Sequence, residues 1–304
     1  MSESNQKRRW LRFSLRTLLL LVTGLCVWLG IQVNRAREQR EALKALVQRH
    51  PTIQSNFEYD YQLVPDVGAA QRQGLSADIL YYRHGEGSLP EPQWLISLMG
   101  VDFFHNIVNV DLRATARDND LADLEHLPNL RELLLGEAPV TSDGLRHLAR
   151  LTEMDELELD DTQVDDEGMA WLAGLSKLTR LNLDGTRVGD RGLEHIGRLH
   201  RLWALVLDQT LVTDAGMPCV AQLTNLEVLG LVNTQITDAG ARHLAKLPNL
   251  VLLALAGTQI TDASIPVLRQ LTTLKELHIR RTKLTLEGIK RLKASLPSTA
   301  VYSD

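Results

Sequence analysis

The stretch "NTQITDAG", residues 233–240, returns almost unchanged as "GTQITDAS" at 257–264 and stands one step earlier as "QTLVTDAG" at 209–216. A phrase repeated at a fixed interval of 24 residues marks a chain built from stacked copies of one small unit. Laid out at that period, the sequence from Leu127 to Ala294 fills seven rows without an insertion. Row position 7 is Leu133, Leu157, Leu181, Leu205, Leu229, Leu253 and Leu277; position 9 is Leu135, Leu159, Leu183, Leu207, Leu231, Leu255 and Ile279. Positions 1, 4, 14, 19 and 22 are apolar almost as strictly.

The spacing predicts what each row folds into. Alternation at 7 and 9 is a short strand, whereas 19 and 22 lie three apart, as on one face of a short helix. One strand–turn–helix unit cannot bury its apolar edge alone, but stacked rows share a core and align their strands into a parallel sheet. A degenerate row with Ile107, Val110, Leu112, Thr115, Leu121 and Leu124 precedes the seven and is one residue short, giving eight repeats over 104–294. The tail "SLPSTAVYSD", 295–304, offers a strand to cover the last open edge.

The repeated phrase falls at the turn and the helix start. Thr162, Thr186, Thr210, Thr234, Thr258 and Thr282 occupy position 12, where a hydroxyl can serve a turning backbone. Asp166, Asp190, Asp214, Asp238 and Asp262 follow at position 16; either the Thr or the Asp of the phrase can cap free amides, and a carboxylate is favoured at the positive end of each helix, which leaves no need for a calcium ladder. On this reading the shared residues hold the coil together and function lies where the rows differ.

Of 304 residues, 44% are hydrophobic but only 5% aromatic, a balance suited to many similar leucine layers. Residues 1–49 carry ten Lys/Arg against three Glu, +7, so the overall −5 leaves −12 on the remainder. So acidic a body disfavours nucleic acid. Cys26 and Cys219 have no zinc-like spacing and no nearby partner. The position-21 column His147, Trp171, His195, Cys219, His243 spaces its histidines two rows, about 10 Å, apart, too far for one ion. No Walker loop, nucleophile elbow or metalloprotease motif is present. No catalysis, metal or cofactor is expected.

The start of the chain is different in kind. After a basic tail, 1–16, the run "TLLLLVTGLCVWLGIQVN", 17–34, is uncharged and as a helix reaches about 27 Å, enough to enter a bilayer as a single transmembrane anchor if flanking arginines snorkel. Charge balance around it hardly sets orientation; the layout of basic tail plus apolar run is that of an uncleaved export signal, placing the body outside the cytoplasm. Residues 35–50 predict a juxtamembrane helix ending at Pro51 and acting as a stalk. Residues 51–103 predict a small α+β cap for the first repeat, or a separate ligand domain.

The whole pattern, "LxxLxxLxLxxTxxTDxGLxxLxx", resembles the 24-residue leucine-rich repeats related to the cysteine-containing, ribonuclease-inhibitor-like class, with Thr in place of Cys. The start "RFSLRTLLLLVTGLCVWLG" with "FEYDYQ" and "EPQWLISLMGVDFFHNIV" is similar to membrane-anchored leucine-rich-repeat proteins of planctomycete-type bacteria. The resemblance implies a right-handed α/β solenoid with its parallel sheet on the concave face, an N-terminal anchor, and protein binding. Ala138 and Pro139 in the first full row, and Leu286 in the last, depart from it.

If positions 7 and 9 point inward, positions 6, 8 and 10 face out across the sheet. The early rows supply Glu132, Glu156, Glu158, Asp160, Asp184 and Asp208; the middle rows Ala204, Val206, Val228, Val232, Leu252, Ala254 and Ala256; the last row Glu276, His278 and Arg280, beside Arg281 and Lys283. That face, about 34 Å long, suits a protein or extended peptide, with Val206, Val228, Val232 and Leu252 as its apolar centre. A structural, self-associating envelope component is the competing expectation.

Overall fold

The computed structural model describes residues 15–50, three short strands at 57–59, 63–65 and 82–84, and residues 106–303, with side chains from 20–50 and 106–303. The strands are β1 (Phe57–Tyr59), β2 (Leu63–Pro65), β3 (Tyr82–His84), β4 (Ile107–Asp111), β5 (Glu132–Leu134), β6 (Glu156–Glu158), β7 (Arg180–Asn182), β8 (Ala204–Val206), β9 (Val228–Gly230), β10 (Leu252–Ala254), β11 (Glu276–His278) and β12 (Ala300–Tyr302). From β4 to β12 they form one parallel sheet in sequence order, and β1 pairs antiparallel on β4. A separate hairpin joins β2 to β3.

The 24-residue period becomes the sheet register. Leu133, Leu157, Leu181, Leu205, Leu229, Leu253 and Leu277 pair successively, ending on Val301. The short first row is absorbed without slippage, since Val110 pairs with Leu133. Both leucine columns are at most 1% exposed and belong to one continuous core with the apolar positions of every row. Each leucine contributes about 2 kcal/mol of burial, which only a neighbouring rung makes possible.

Each chain reversal after a strand needs one residue in the left-handed region. Ala114, Glu137, Asp161, Gly185, Gln209, Asn233, Gly257 and Arg281 hold it, with φ between 53° and 72°. The threonine of position 12 then closes the turn. The Thr162, Thr186, Thr210, Thr234 and Thr258 hydroxyls donate to the position-9 carbonyl of their own row at 2.6–2.7 Å and are 1–5% exposed. The hydroxyl thus serves the turning backbone as a donor to a carbonyl. Ala138 keeps only the backbone bond to Leu135 O, at 3.0 Å.

The aspartates of position 16 do something other than cap their own helix. Asp214 accepts from the N–H and Oγ1 of Thr237 in the next rung, at 2.8 and 2.5 Å; Asp190 does so from Thr213, Asp238 from Thr261, and Asp262 from Thr285. Thr237 and Thr261 are the caps, each accepting from the amide two residues on. Threonine thus starts its own helix while aspartate staples the rung after it. A Cβ on Gly192 would stand 2.8 Å from Asp166 Oδ1, whereas at the same position of a later row Ser264 is accommodated and donates its hydroxyl to Asp238 Oδ1. Leu286, in the last full row, has no complete rung to staple and is exposed.

Helix α1, Leu15–Arg49, runs unbroken into the solenoid. Leu46 is fully buried in the common core, Ala36 and Ala42 nearly so, and Gln39 Oε1 accepts from Ile107 N at 3.3 Å. Arg49 pairs with Asp120 and Asp123, and His50 Nε2 lies 3.0 Å from Asp120 Oδ2. Residues 35–50, expected as a stalk, are seated on the first repeat. The transmembrane span expected at 17–34 finds no support in the described residues: none of their helices is long and apolar enough to cross a membrane. The cap expected at 51–103 lies outside the described residues except for its three strands.

Candidate functional site

Positions 6, 8 and 10 form one continuous concave surface. Val206, Val228, Val232 and Leu252 are all half-buried and share it, with Val228 paired between Ala204 and Leu252. They are neither packed in the interior nor fully exposed, because each valine or leucine is screened by its cross-strand neighbours. Gly230 opens the centre of the face: a Cβ there would stand 2.6 Å from Asp208 Oδ1 and 3.1 Å from Val206 Cγ1.

The acidic end is less uniform than the sequence suggested. Arg180 pairs with Glu156 and lies 5.8 Å from the Trp203 ring centroid, and Arg113 pairs with Asp111 at 2.7 Å. Glu132 accepts from Asn109 at 2.8 Å. Arg180 and Arg113 were missed, although their row positions, 6 and 10, were sufficient to find them. Further along, Asp160 accepts from Asn182 at 3.3 Å, Asp184 from Gln209 at 3.0 Å and Asp208 from Val232 N at 2.7 Å. These donors are neutral. Burial, with the Asp184 charge adding to it, pushes Asp208 up to about 6 against the pull of the Val232 amide. Glu158 is raised for the same reasons, burial first and then Asp160.

At the far end His278 stacks on Tyr302 of β12, with ring centroids 4.5 Å apart, and lies 3.3 Å from Glu276; Arg280 is exposed. All the expected concave residues, from Glu156 and Glu158 through His278 and Arg280, therefore fall on one surface. On the convex side His147 pairs with Glu125 at 2.5 Å, and among the described residues no group of three His, Cys, Asp or Glu is arranged to hold a metal.

The repeat period, the parallel sheet and the leucine columns together fix the architecture. It is a leucine-rich-repeat solenoid. The leucine-rich-repeat family pattern matches residues 174–197 and 270–293 of the chain. Among solved structures, the repeat protein is similar to internalin C2 of Listeria monocytogenes, at 22% identity and a TM-score of 0.54, covering 83% of this chain and 96% of that one. An internalin, InlF, of the same organism also matches, at 23% identity and a TM-score of 0.42, over 60% of this chain and 65% of that one. No curated protein matches the sequence. At that identity the likeness to internalin C2 is one of fold.

Proposed function

We propose that the chain is a recognition module that docks a protein or peptide on its concave face, without catalysis. The observation that carries this reading is the contrast between columns. Positions 7, 9, 12 and 16 repeat with almost no change, whereas 6, 8 and 10 pass from carboxylates through Val206, Val228, Val232 and Leu252 to Arg280 on one surface. A half-buried apolar centre rimmed by charge is what a protein interface needs. Peptides selected from a display library on the full chain should lose at least tenfold in affinity when Val228→Asp and Leu252→Asp are combined, with the thermal midpoint unchanged. Selected binders indifferent to that pair would move the site off the concave face. Self-association is the outcome if the only captured ligand is a second copy.

The same proposal includes attachment to a membrane through residues 17–34, with the body outside the cytoplasm. Support comes from α1, whose Leu20, Leu21, Leu25, Val27, Trp28 and Ile31 are all at least 50% exposed, an apolar surface that water does not favour. It comes also from the basic residues before it. Because α1 continues into the solenoid, a lipid-embedded start would hold the repeats at a fixed angle to the bilayer. Extraction of the protein into the soluble fraction at alkaline pH, without detergent, would overturn this part of the reading.

A further inference from the structure

Position 10 forms one column on the concave face. It reads Asp160, Asp184, Asp208, Val232, Ala256, Arg280, and the backbone locks the sequence rung by rung. The amides of Asp161, Gly185, Gln209, Asn233 and Gly257 donate to the carbonyls of Asp184, Asp208, Val232, Ala256 and Arg280 at 2.7–3.0 Å. The side chains therefore stand in file at the strand spacing, about 4.8 Å per step.

The file has two charged ends and an apolar middle. Asp184 and Asp208 receive only neutral donors in the bonds described above, while Arg113 and Arg180 answer carboxylates nearer the first repeat. A carboxylate that is half-buried and met by amides is completed best by a cation from outside. Val232 and Ala256 follow, small and apolar, and then the exposed guanidinium of Arg280. From Asp208 to Arg280 is three rungs, about 14 Å, and from Asp184 four, about 19 Å. An extended chain covers those distances in about four to six residues at 3.3 Å each.

Resting on the concave-face reading, we infer that the ligand is an extended peptide bearing a cationic and a carboxylate side chain four or six residues apart, so that both face the sheet, with apolar residues between them. The cation sits between Asp184 and Asp208, the apolar residues lie over Val232 and Ala256, and the carboxylate meets Arg280 in a bidentate pair. Charge order on the ligand follows from the file, and charge of a single sign fits only one end.

The test uses the full chain in detergent and three labelled decapeptides of identical apolar centre, with Lys and Glu, two Lys, or two Glu at the flanking positions, four residues apart so that both face the sheet. Anisotropy at low salt should show the Lys/Glu peptide bound at least tenfold tighter than either other. Arg280→Glu should turn the preference to the two-Lys peptide, and Asp184→Asn with Asp208→Asn should weaken both Lys-bearing peptides while leaving thermal stability intact. Moving Lys and Glu to adjacent positions should cost most of the advantage. Equal affinity for all three peptides, abolished by Val228→Asp with Leu252→Asp, would overturn the charge order and leave concave docking standing. Binding unaffected by either pair of substitutions would overturn both, and so would a failure of all three peptides to bind.

Discussion

The solenoid carries two files of aspartates at the same 24-residue interval, and Asp238 and Asp262 in one live under electrostatics opposite to those of Asp208 in the other. On the helix side, Asp238 is supplied by the Ser264 and Thr261 hydroxyls and the Thr261 amide, which hold it below its ordinary value although burial opposes them. Asp262 is lowered chiefly by the hydroxyl and amide of Thr285. On the concave side, Asp208 has one amide, the Asp184 charge beside it, and enough burial to lift it to about 6. One file is fully served by the next rung and stabilises the stack. The other is left short of partners, which is how a surface reserved for a ligand differs from one that serves the fold.

The comparison breaks most sharply at Gly240, which packs against the stapling carboxylate of Asp214. Gly240→Val should cost about 3 kcal/mol in urea unfolding, because the side chain displaces Asp214 and presses on Met217 Cγ, 3.1 Å from the first added carbon. A loss below about 1 kcal/mol would mean that the staple yields without strain. Asp238→Ala, which removes hydrogen bonds to a charged acceptor, should cost about 2 kcal/mol at pH 7. The folded-state value of Asp238 is lowered, so its contribution is complete above the ordinary 3.8 and lost as pH falls through the folded value. The gap between wild type and variant should therefore close below about pH 4. A gap that persisted at pH 2 would point to lost packing rather than a lost charge.

The smallest effect should have the opposite sign. Asp208→Asn keeps an acceptor for the Val232 amide and removes a poorly solvated charge, so it should stabilise by about 0.5 kcal/mol at pH 8. Because the folded-state value is raised, the penalty it relieves is absent below the ordinary 3.8, grows toward about 6, and is constant above. Destabilisation at pH 8 would show that the concave aspartates serve the fold after all, and would erase the distinction between the two files.

Much of the architecture was legible in the letters because a solenoid couples each row only to its neighbours. The leucine columns, the register and the short first row all reappear as pairings in the sheet. The concave columns were legible for the same reason, since alternation along a strand assigns faces. Where reading failed, the contact crossed from one row to another. At the helix start either Thr237 or Asp238 could cap by sequence proximity; Thr237 is the cap, whereas the Asp238 carboxylate reaches 23 residues ahead to Thr261. Residues 35–50 looked like a stalk because helical spacing at Leu43, Leu46 and Val47 does not say what the apolar side packs on; Leu46 enters the solenoid core.

The sequence alone determined the period, the inward and outward columns and the rank of repeats, because strand alternation and a constant row length leave the backbone little choice. Tertiary structure decided which carboxylates are satisfied, what Arg180 and Arg113 neutralise, and that α1 seats on the first repeat. Those outcomes depend on distances between side chains a whole row or more apart, and on how much water each retains, quantities that no local pattern encodes.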